Sequence, residues 1–126
     1  MAIEKVGIVG AGQMGNGIAH VFAVAGYDVL LTDVNQDALD RAVALIDRNL
    51  TRQVSRDLIG AEVKSVAMGR IKTTTKLPDL GPADLIIEAA TERETIKQAI
   101  FEDLIPYSRP DTILTSNTSS ISITRL

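Results

Sequence analysis

A glycine-rich loop near the start of this 126-residue chain carries its most specific chemistry. The segment Gly10-Ala11-Gly12-Gln13-Met14-Gly15 matches the pattern G-x-G-x-x-G. In a strand-to-helix turn, the first glycine permits the tight turn and the second lets the backbone approach a pyrophosphate, while the third lets the helix pack on the strand. Exposed amides and the helix dipole then hold the phosphates. All six residues are therefore candidate cofactor-binding residues, and the alternative is an ordinary glycine-rich turn.

A carboxylate follows at the end of the next predicted strand, at Asp33. In a dinucleotide-binding fold, a carboxylate at this position accepts hydrogen bonds from both hydroxyls of the adenosine ribose. It also repels a 2′-phosphate, and no lysine or arginine stands between Asp33 and Arg41. The loop and Asp33 together predict NAD(H) rather than NADP(H) as cofactor. The alternative for Asp33 is a solvated aspartate at a strand end.

Polar residues also follow two later strands. Glu92 follows the fourth predicted strand, and Lys97 lies on the next helix, within reach of a cofactor or of Glu92. The alternative for Glu92 is a carboxylate at a helix start that interacts with the helix dipole, and the alternative for Lys97 is a solvated side chain. After the fifth predicted strand, residues 116–120 (SNTSS) offer hydroxyls and an amide to a substrate oxygen or to the nicotinamide amide. Helix capping by Ser119 or Ser120 is the alternative, and it is compatible with binding.

Three arginines and one histidine complete the candidates. Arg48, Arg52 and Arg56 recur every four residues and form one stripe on the second predicted helix. Such a stripe suits the phosphates of a large anionic substrate, although a solvated face moderated by neighbouring aspartates is the commoner case. The only histidine, His20, falls in the middle of the first helix, away from the strand ends. We expect it to be structural rather than catalytic.

Alternating strands and helices must position these residues. Short apolar runs predict strands at 6–9, 27–34, 70–75, 84–89 and 112–116, and the segments between them predict helices at 13–25, 36–57, 61–68 and 94–107. On the second helix the apolar face is formed by Leu39, Val43, Ile46 and Leu50. This alternation predicts right-handed βαβ units. The expected fold is α/β, a doubly wound parallel sheet (Rossmann fold) with a helical hairpin after the second strand.

Composition limits the classes of function. With 13 basic and 16 acidic residues the net charge is −3, which argues against nucleic acid or an anionic membrane as partner, because both attract clustered positive charge. No cysteine and a single histidine exclude thiolate and histidine-rich metal sites, so we expect no metal. We find no signal peptide and no apolar run of membrane-spanning length, and we expect a cytoplasmic protein.

Together these residues resemble the N-terminal part of the 3-hydroxyacyl-CoA dehydrogenase family, and 3-hydroxybutyryl-CoA dehydrogenases in particular. The resemblance covers essentially the whole chain. It is carried by VGIVGAGQMG at 6–15, TDVN at 32–35, RIKTTT at 70–75, ADLIIEAATE at 83–92 and SNTSS at 116–120. The last two blocks discriminate better than the glycine loop.

The resemblance implies reversible oxidation of an (S)-3-hydroxyacyl-CoA to the 3-oxoacyl-CoA in fatty acid metabolism, with hydride passing from C3 to NAD. By position, Asp33 would bind the adenine ribose, and Glu92 and Lys97 would lie on the cofactor. Ser119 would be the catalytic residue that hydrogen-bonds the C3 oxygen of the substrate.

The resemblance also implies a coenzyme A site on the helical hairpin from Asp37 to Met68. Its candidate substrate-binding residues are Asn49, Arg52 and Arg56. Arg56 stands where the family often has lysine, a change that keeps the positive charge.

One departure from the family concerns the catalytic base. The family uses a histidine in a His-Phe-Phe-Asn-Pro segment after the fifth strand, oriented by a later glutamate, and a C-terminal helical domain that dimerises. Residues 1–126 contain none of these, so we expect an NAD-binding domain that is incomplete at its C-terminus, from a homodimeric parent. Hydride transfer needs a base for the hydroxyl proton, and His20 does not replace it. We therefore expect at most weak NAD binding and no useful turnover by this chain alone.

Two other functions fit the same residues. The first is a 3-hydroxyacid dehydrogenase of the 6-phosphogluconate type, which also uses a Gly-x-Gly-x-Met-Gly loop but resembles this chain less after the second strand. The second is a non-catalytic NAD-sensing module, for which we expect tight NADH binding and a ligand-dependent oligomer.

Overall fold

Strands and helices alternate along the chain. The computed structural model describes residues 3–89, 94–108 and 110–116. Its strands are β1 (Lys5–Val9), β2 (Asp28–Thr32), β3 (Ile71–Thr74), β4 (Leu85–Glu88) and β5 (Ile113–Ser116). Its α-helices are α1 (Gln13–Ala25), α2 (Gln36–Ser55), α3 (Ala61–Arg70) and α4 (Glu94–Leu104), with 3-10 helices at Leu77–Leu80 and Ile105–Tyr107.

The five strands form one parallel sheet in the order β3-β2-β1-β4-β5. From β1 the chain runs outward through β2 and β3, and it then returns to β4 on the other side of β1. The strand order therefore reverses between β1 and β4, which is the topological switch point of a doubly wound sheet. This confirms the predicted Rossmann fold, and α2 and α3 form the predicted hairpin between β2 and β3.

Both faces of the sheet are covered, as the short apolar strands predict. On one face α1, α2 and α3 pack against strand residues such as Ile8 and Leu31, both fully buried. On the other face Ile86 packs with Leu80 and Leu104, from the first 3-10 helix and α4. Successive strand residues alternate between these two clusters, so each strand is buried along most of its length.

The apolar residues of a helix predict its buried face better in α2 than in α1. In α2 the fully buried set is Leu39, Ala42, Ile46 and Leu50, so Ala42 replaces the expected Val43, which is only half-buried. In α1 the buried residues are Gly15, Asn16, Ala19 and Ala23, whereas the larger Met14 and Val21 are exposed. Small residues spaced four apart let α1 approach the sheet closely, and the larger Ile18 and Phe22 are partly buried against the same core.

Arg70 ends α3 and does not begin β3 as its sequence neighbourhood predicts. Its Nη1 donates a hydrogen bond of 3.2 Å to the carbonyl of Ala23, in the last turn of α1. A cation at this position interacts favourably with the negative end of the helix dipole. The contact joins the end of α3 to the end of α1 just before the left-handed Gly26.

A buried carboxylate anchors the amino end of the sheet. The Oδ2 atom of Asp84 accepts hydrogen bonds from the amides of Glu4 at 2.9 Å and Lys5 at 3.0 Å. The Asp84 amide donates to the carbonyl of Lys5, and its carbonyl accepts from the amide of Ile113. Asp84 therefore connects the beginnings of β1, β4 and β5.

We predict that Asp84→Ala lowers the free energy of unfolding by about 1–3 kcal/mol, because two partly buried amides lose their acceptor. Urea denaturation followed by circular dichroism measures the change. The control is Glu102→Ala, an exposed carboxylate on α4, for which we expect a change within about 0.5 kcal/mol. Equal stability of Asp84→Ala and the wild type would show that this carboxylate is not an anchor.

Candidate functional site

The glycine loop is shaped by two backbone contacts at the carboxyl end of β1. Gly10 has a φ of 107°, a left-handed conformation that favours glycine, and its amide donates to the carbonyl of Thr32 at 2.8 Å. A Cβ built on Gly15 would lie only 1.7 Å from the carbonyl oxygen of Gly10. The first turn of α1 therefore packs directly on the loop, and Gly15 is the contact that permits it.

The space in front of α1 suits a phosphate. Gly12 caps the helix without any side-chain hydrogen bond, and the first turn carries no acidic residue. A Cβ built on Gly12 would meet nothing within 4 Å, so it would project into open space beside the helix amides. Gln13 and Met14 are exposed in this turn. Since the helix dipole favours an anion here, the loop fits the pyrophosphate of a dinucleotide.

Asp33 lies immediately after β2 and contacts the loop directly. Its Oδ2 accepts a hydrogen bond from the amide of Ala11 at 3.0 Å, and its Oδ1 accepts one from the amide of Asn35 at 3.0 Å. An ionised carboxylate has about four lone-pair sites, so two remain for the predicted ribose hydroxyls. The contact with Ala11 shows a second role, since it holds the loop against the end of β2.

Thr32 and Thr74 connect the ends of β2 and β3. The hydroxyl of Thr32, which is buried, donates to the carbonyl of Thr74 at 2.7 Å. The same carbonyl accepts from the amide of Asp33 at 3.4 Å. These contacts place Asp33 at the carboxyl edge of three adjacent strands. The role of the two threonines in holding this edge together could not be predicted, because threonine is common in any β-strand.

Glu88, the last residue of β4, lies at the same edge of the sheet and is not among the residues predicted for the site. Its side chain is 0% exposed, it engages a partner, and in the sheet register it lies beside Val9 on β1 and Ser116 on β5. Its strand is otherwise apolar, Leu-Ile-Ile-Glu. A carboxylate that ends a buried strand was therefore a signal that could have identified it.

The side chains of three predicted site residues lie outside the part of the chain that the structure describes. Glu92 and Ser119 lie outside the described residues. Lys97 lies on α4, but its side chain is also outside them. The roles predicted for these three residues stay predictions.

The coenzyme A candidates lie in the C-terminal half of α2. Asn49, Arg52 and Arg56 are spaced so that they share one side of the helix, and both arginines are exposed while Asn49 is half-buried. Asp47, one of the aspartates that neighbour the arginines, pairs with Lys64 of α3 at 3.1 Å. The stripe therefore keeps much of its positive character.

The structure does not bring the two groups of candidates together. The glycine loop and Asp33 lie near the start of α2, whereas Arg52 lies in its last turn. At about 1.5 Å per residue, the two ends of this helix are roughly 28 Å apart. A ligand that contacts both must therefore be long.

A cavity of about 380 Å³ lies elsewhere, at the amino end of the strands. It is lined by Lys5, Asp28, Arg70, Lys72 and Asp79, among others. Ligands of doubly wound sheets bind outside the carboxyl ends of the strands, so this cavity is separate from the dinucleotide site. Among the described residues, no three or more side chains of metal-ligating type lie together. The helices of these residues are each too short or too polar to span a bilayer.

Comparison with known proteins identifies relatives over almost the whole chain. The model of the NAD-binding domain of 3-hydroxyacyl-CoA dehydrogenase matches residues 5–126. The 3-hydroxybutyryl-CoA dehydrogenase of Bradyrhizobium diazoefficiens is 53% identical over 124 residues, which are 98% of this chain and 42% of the relative. The 3-hydroxyadipyl-CoA dehydrogenase of Escherichia coli is 43% identical over 124 residues, 98% of this chain and 26% of the relative.

Solved structures show the same similarity. The 3-hydroxybutyryl-CoA dehydrogenase of Escherichia coli superposes with a TM-score of 0.94 at 43% identity, covering 98% of this chain and 26% of that one. The (S)-3-hydroxybutyryl-CoA dehydrogenase of Ralstonia eutropha superposes with a TM-score of 0.91 at 42% identity. The superposition covers 99% of this chain and 44% of that one. The chain thus spans less than half the length of these relatives.

We predict opposite effects of the same substitution at two glycines of α1. Gly15→Ala lowers the free energy of unfolding by about 1–3 kcal/mol or more, because the new methyl group overlaps the Gly10 carbonyl. Gly17→Ala is the matched control, since its Cβ would meet nothing within 4 Å, and it raises stability by up to about 1 kcal/mol through helix propensity. Urea denaturation of both variants measures the contrast. Similar stabilities would contradict the close packing at Gly15.

Proposed function

Because the chain belongs to the 3-hydroxyacyl-CoA dehydrogenase family, we propose that it is the NAD-binding part of an oxidoreductase that interconverts (S)-3-hydroxyacyl-CoA and 3-oxoacyl-CoA. The expected substrate is 3-hydroxybutyryl-CoA, the substrate in the names of several relatives. The observation that carries the proposal is the open space at Gly12, bounded by the Gly15 contact and by Asp33.

The loop and Asp33 have complementary tasks in cofactor binding. The amides at the start of α1 bind the pyrophosphate, and Asp33 accepts hydrogen bonds from the adenosine ribose while it holds the Ala11 amide. Its negative charge disfavours the 2′-phosphate of NADP(H). Bound NAD supplies the hydride acceptor for C3 of the substrate, and Glu92 and Lys97 complete the cofactor site.

The acyl-CoA substrate would be bound at two places. Arg52 and Arg56 contribute positive charge for the phosphates of coenzyme A, with Asn49 as a neutral hydrogen-bonding group beside them. Ser119 hydrogen-bonds the C3 oxygen at the other end of the substrate. The arginines and the glycine loop therefore serve two different ligands, the acyl-CoA and NAD, and this explains why the two groups of residues lie far apart.

The proton of the C3 hydroxyl requires a base. His20, the only histidine of the sequence, is half-buried in the middle of α1, away from the carboxyl ends of the strands. We therefore place the base outside these 126 residues, in a domain that also forms a homodimer, and we locate the enzyme in the cytoplasm.

The cofactor proposal is tested with Gly12→Val. A branched side chain in the open space before α1 blocks a phosphate, and we expect at least about tenfold weaker NADH binding, a loss of about 1.4 kcal/mol in binding free energy. Fluorescence titration with NADH measures the affinity, and Gly17→Ala is the control that leaves it unchanged. Because of Asp33, NADPH binds the wild type more weakly than NADH does. Unchanged NADH affinity in Gly12→Val would place the cofactor elsewhere.

The coenzyme A proposal is tested with Arg52→Glu. Charge reversal in the stripe weakens the binding of acetoacetyl-CoA at least about threefold at low salt, because a favourable charge interaction becomes repulsive. Isothermal titration calorimetry measures this affinity. Lys76→Glu makes the same change at an exposed position near the first 3-10 helix and has little effect. Equal effects of the two variants would indicate attraction by net charge alone.

A further inference from the structure

Thr32, the last residue of β2, joins three segments at the carboxyl edge of the sheet. Its carbonyl accepts a hydrogen bond from the amide of Gly10 at 2.8 Å, and its hydroxyl donates one to the carbonyl of Thr74 at 2.7 Å. The side chain of the next residue, Asp33, accepts from the amide of Ala11 at 3.0 Å. The glycine loop, the carboxylate of Asp33 and the end of β3 are therefore all held together at the end of β2.

Two donors share the carbonyl of Thr74, and their distances from it differ. The hydroxyl of Thr32 lies at 2.7 Å, the usual length of an O–H···O hydrogen bond, whereas the amide of Asp33 lies at 3.4 Å, beyond the usual range for an N–H···O hydrogen bond. The hydroxyl therefore makes the stronger of the two contacts. Since Thr32 is only 3% exposed, water has little access to replace this hydroxyl.

The same hydroxyl determines how far Asp33 lies from the glycine loop. Without it, the carbonyl of Thr74 keeps the amide of Asp33 as its donor among the described residues, and this bond shortens toward its usual length of about 2.9 Å. Because β2 lies between β1 and β3, Asp33 then moves by about 0.5 Å toward β3 and away from the amide of Ala11. A binding group has to be held within about 0.5 Å of its productive position, so a shift of this size weakens its contact with a ligand.

We propose that Thr32 is a positioning residue for the adenosine ribose, and that its hydroxyl holds Asp33 where the carboxylate accepts the ribose 2′-hydroxyl. Each carboxylate oxygen of Asp33 already accepts one amide, from Ala11 or from Asn35, so the remaining lone pairs point in fixed directions. A ribose whose pyrophosphate is bound by the glycine loop reaches these lone pairs only while Asp33 keeps its distance from the loop. On the proposed function Asp33 is the ribose-binding residue, and the role of Thr32 rests on that function.

The test compares NADH with its analogue that lacks the 2′-hydroxyl of the adenosine ribose, in the wild type and in Thr32→Val. Valine keeps the branched shape of threonine and removes its hydroxyl. Fluorescence of the reduced nicotinamide measures the dissociation constants of both ligands. We expect the wild type to bind NADH about tenfold more tightly than the analogue, because the analogue lacks a hydrogen bond to a charged group. We expect Thr32→Val to reduce this ratio to about threefold or less, mainly through weaker NADH binding.

Two further variants complete the comparison. Thr32→Ser keeps the hydroxyl and retains the ratio of the wild type. Thr112→Val is the matched control, because the hydroxyl of Thr112 donates to the carbonyl of Ala83 at 3.0 Å, just before β5 and β4 begin at the amino end of the sheet. It lowers stability and leaves the ratio unchanged. An equal fall of the ratio in both valine variants, or an equal loss of affinity for both ligands in Thr32→Val, would mean a purely structural role and would overturn the inference.

The outcomes separate this inference from the proposed function. If the wild type binds neither ligand, the proposed function fails and the inference fails with it. If the wild type binds NADH and the analogue equally well, NADH binding stands, but Asp33 does not hold the 2′-hydroxyl and the inference fails. If the wild type prefers NADH and Thr32→Val keeps the ratio, only the inference fails. Should Thr32→Val not fold, Thr32→Ala provides the same comparison, because it also removes the hydroxyl.

Discussion

The close contact between α1 and the glycine loop is the constraint on which the ligand-binding edge depends. A Cβ on Gly15 would come within 1.7 Å of the carbonyl oxygen of Gly10, so the helix reaches this position only because that atom is absent. The small residues Ala19 and Ala23 continue the close packing along α1. The N-terminus of α1 consequently faces open space at the end of β1, where its dipole is available to an anion.

Carboxylates at the two ends of the parallel sheet have different tasks. At the amino end, Asp84 accepts hydrogen bonds from two backbone amides and stabilises the sheet. At the carboxyl end, Asp33 also accepts two amide hydrogen bonds, but it is only half-buried beside the loop and so stays accessible to a ligand. Glu88 is fully buried at the same edge. Exposure and position in the sheet therefore separate the roles of chemically similar side chains.

Most of the fold could be predicted because its signals are local. Short apolar strands, a glycine stop at Gly26 and the Asn35 cap, whose side chain accepts from the amide of Ala38, all act within a few residues. The boundary at Arg70 was missed because the contact that determines it, with the carbonyl of Ala23, joins residues far apart in the chain. The fully buried face of α1 is harder to predict because close packing selects small residues there, whereas an apolar pattern emphasises large ones.

The sequence by itself determined the order of the elements, the position of the glycine loop and the residue types available for binding a dinucleotide. Only the tertiary structure decided that Asp33 holds the Ala11 amide and that Asp47 pairs with Lys64. The same is true of Glu88, which lies buried beside the switch point. The physical reason is that helix and strand signals depend on neighbours in the chain, whereas burial and hydrogen-bond partners depend on segments brought together by the parallel sheet.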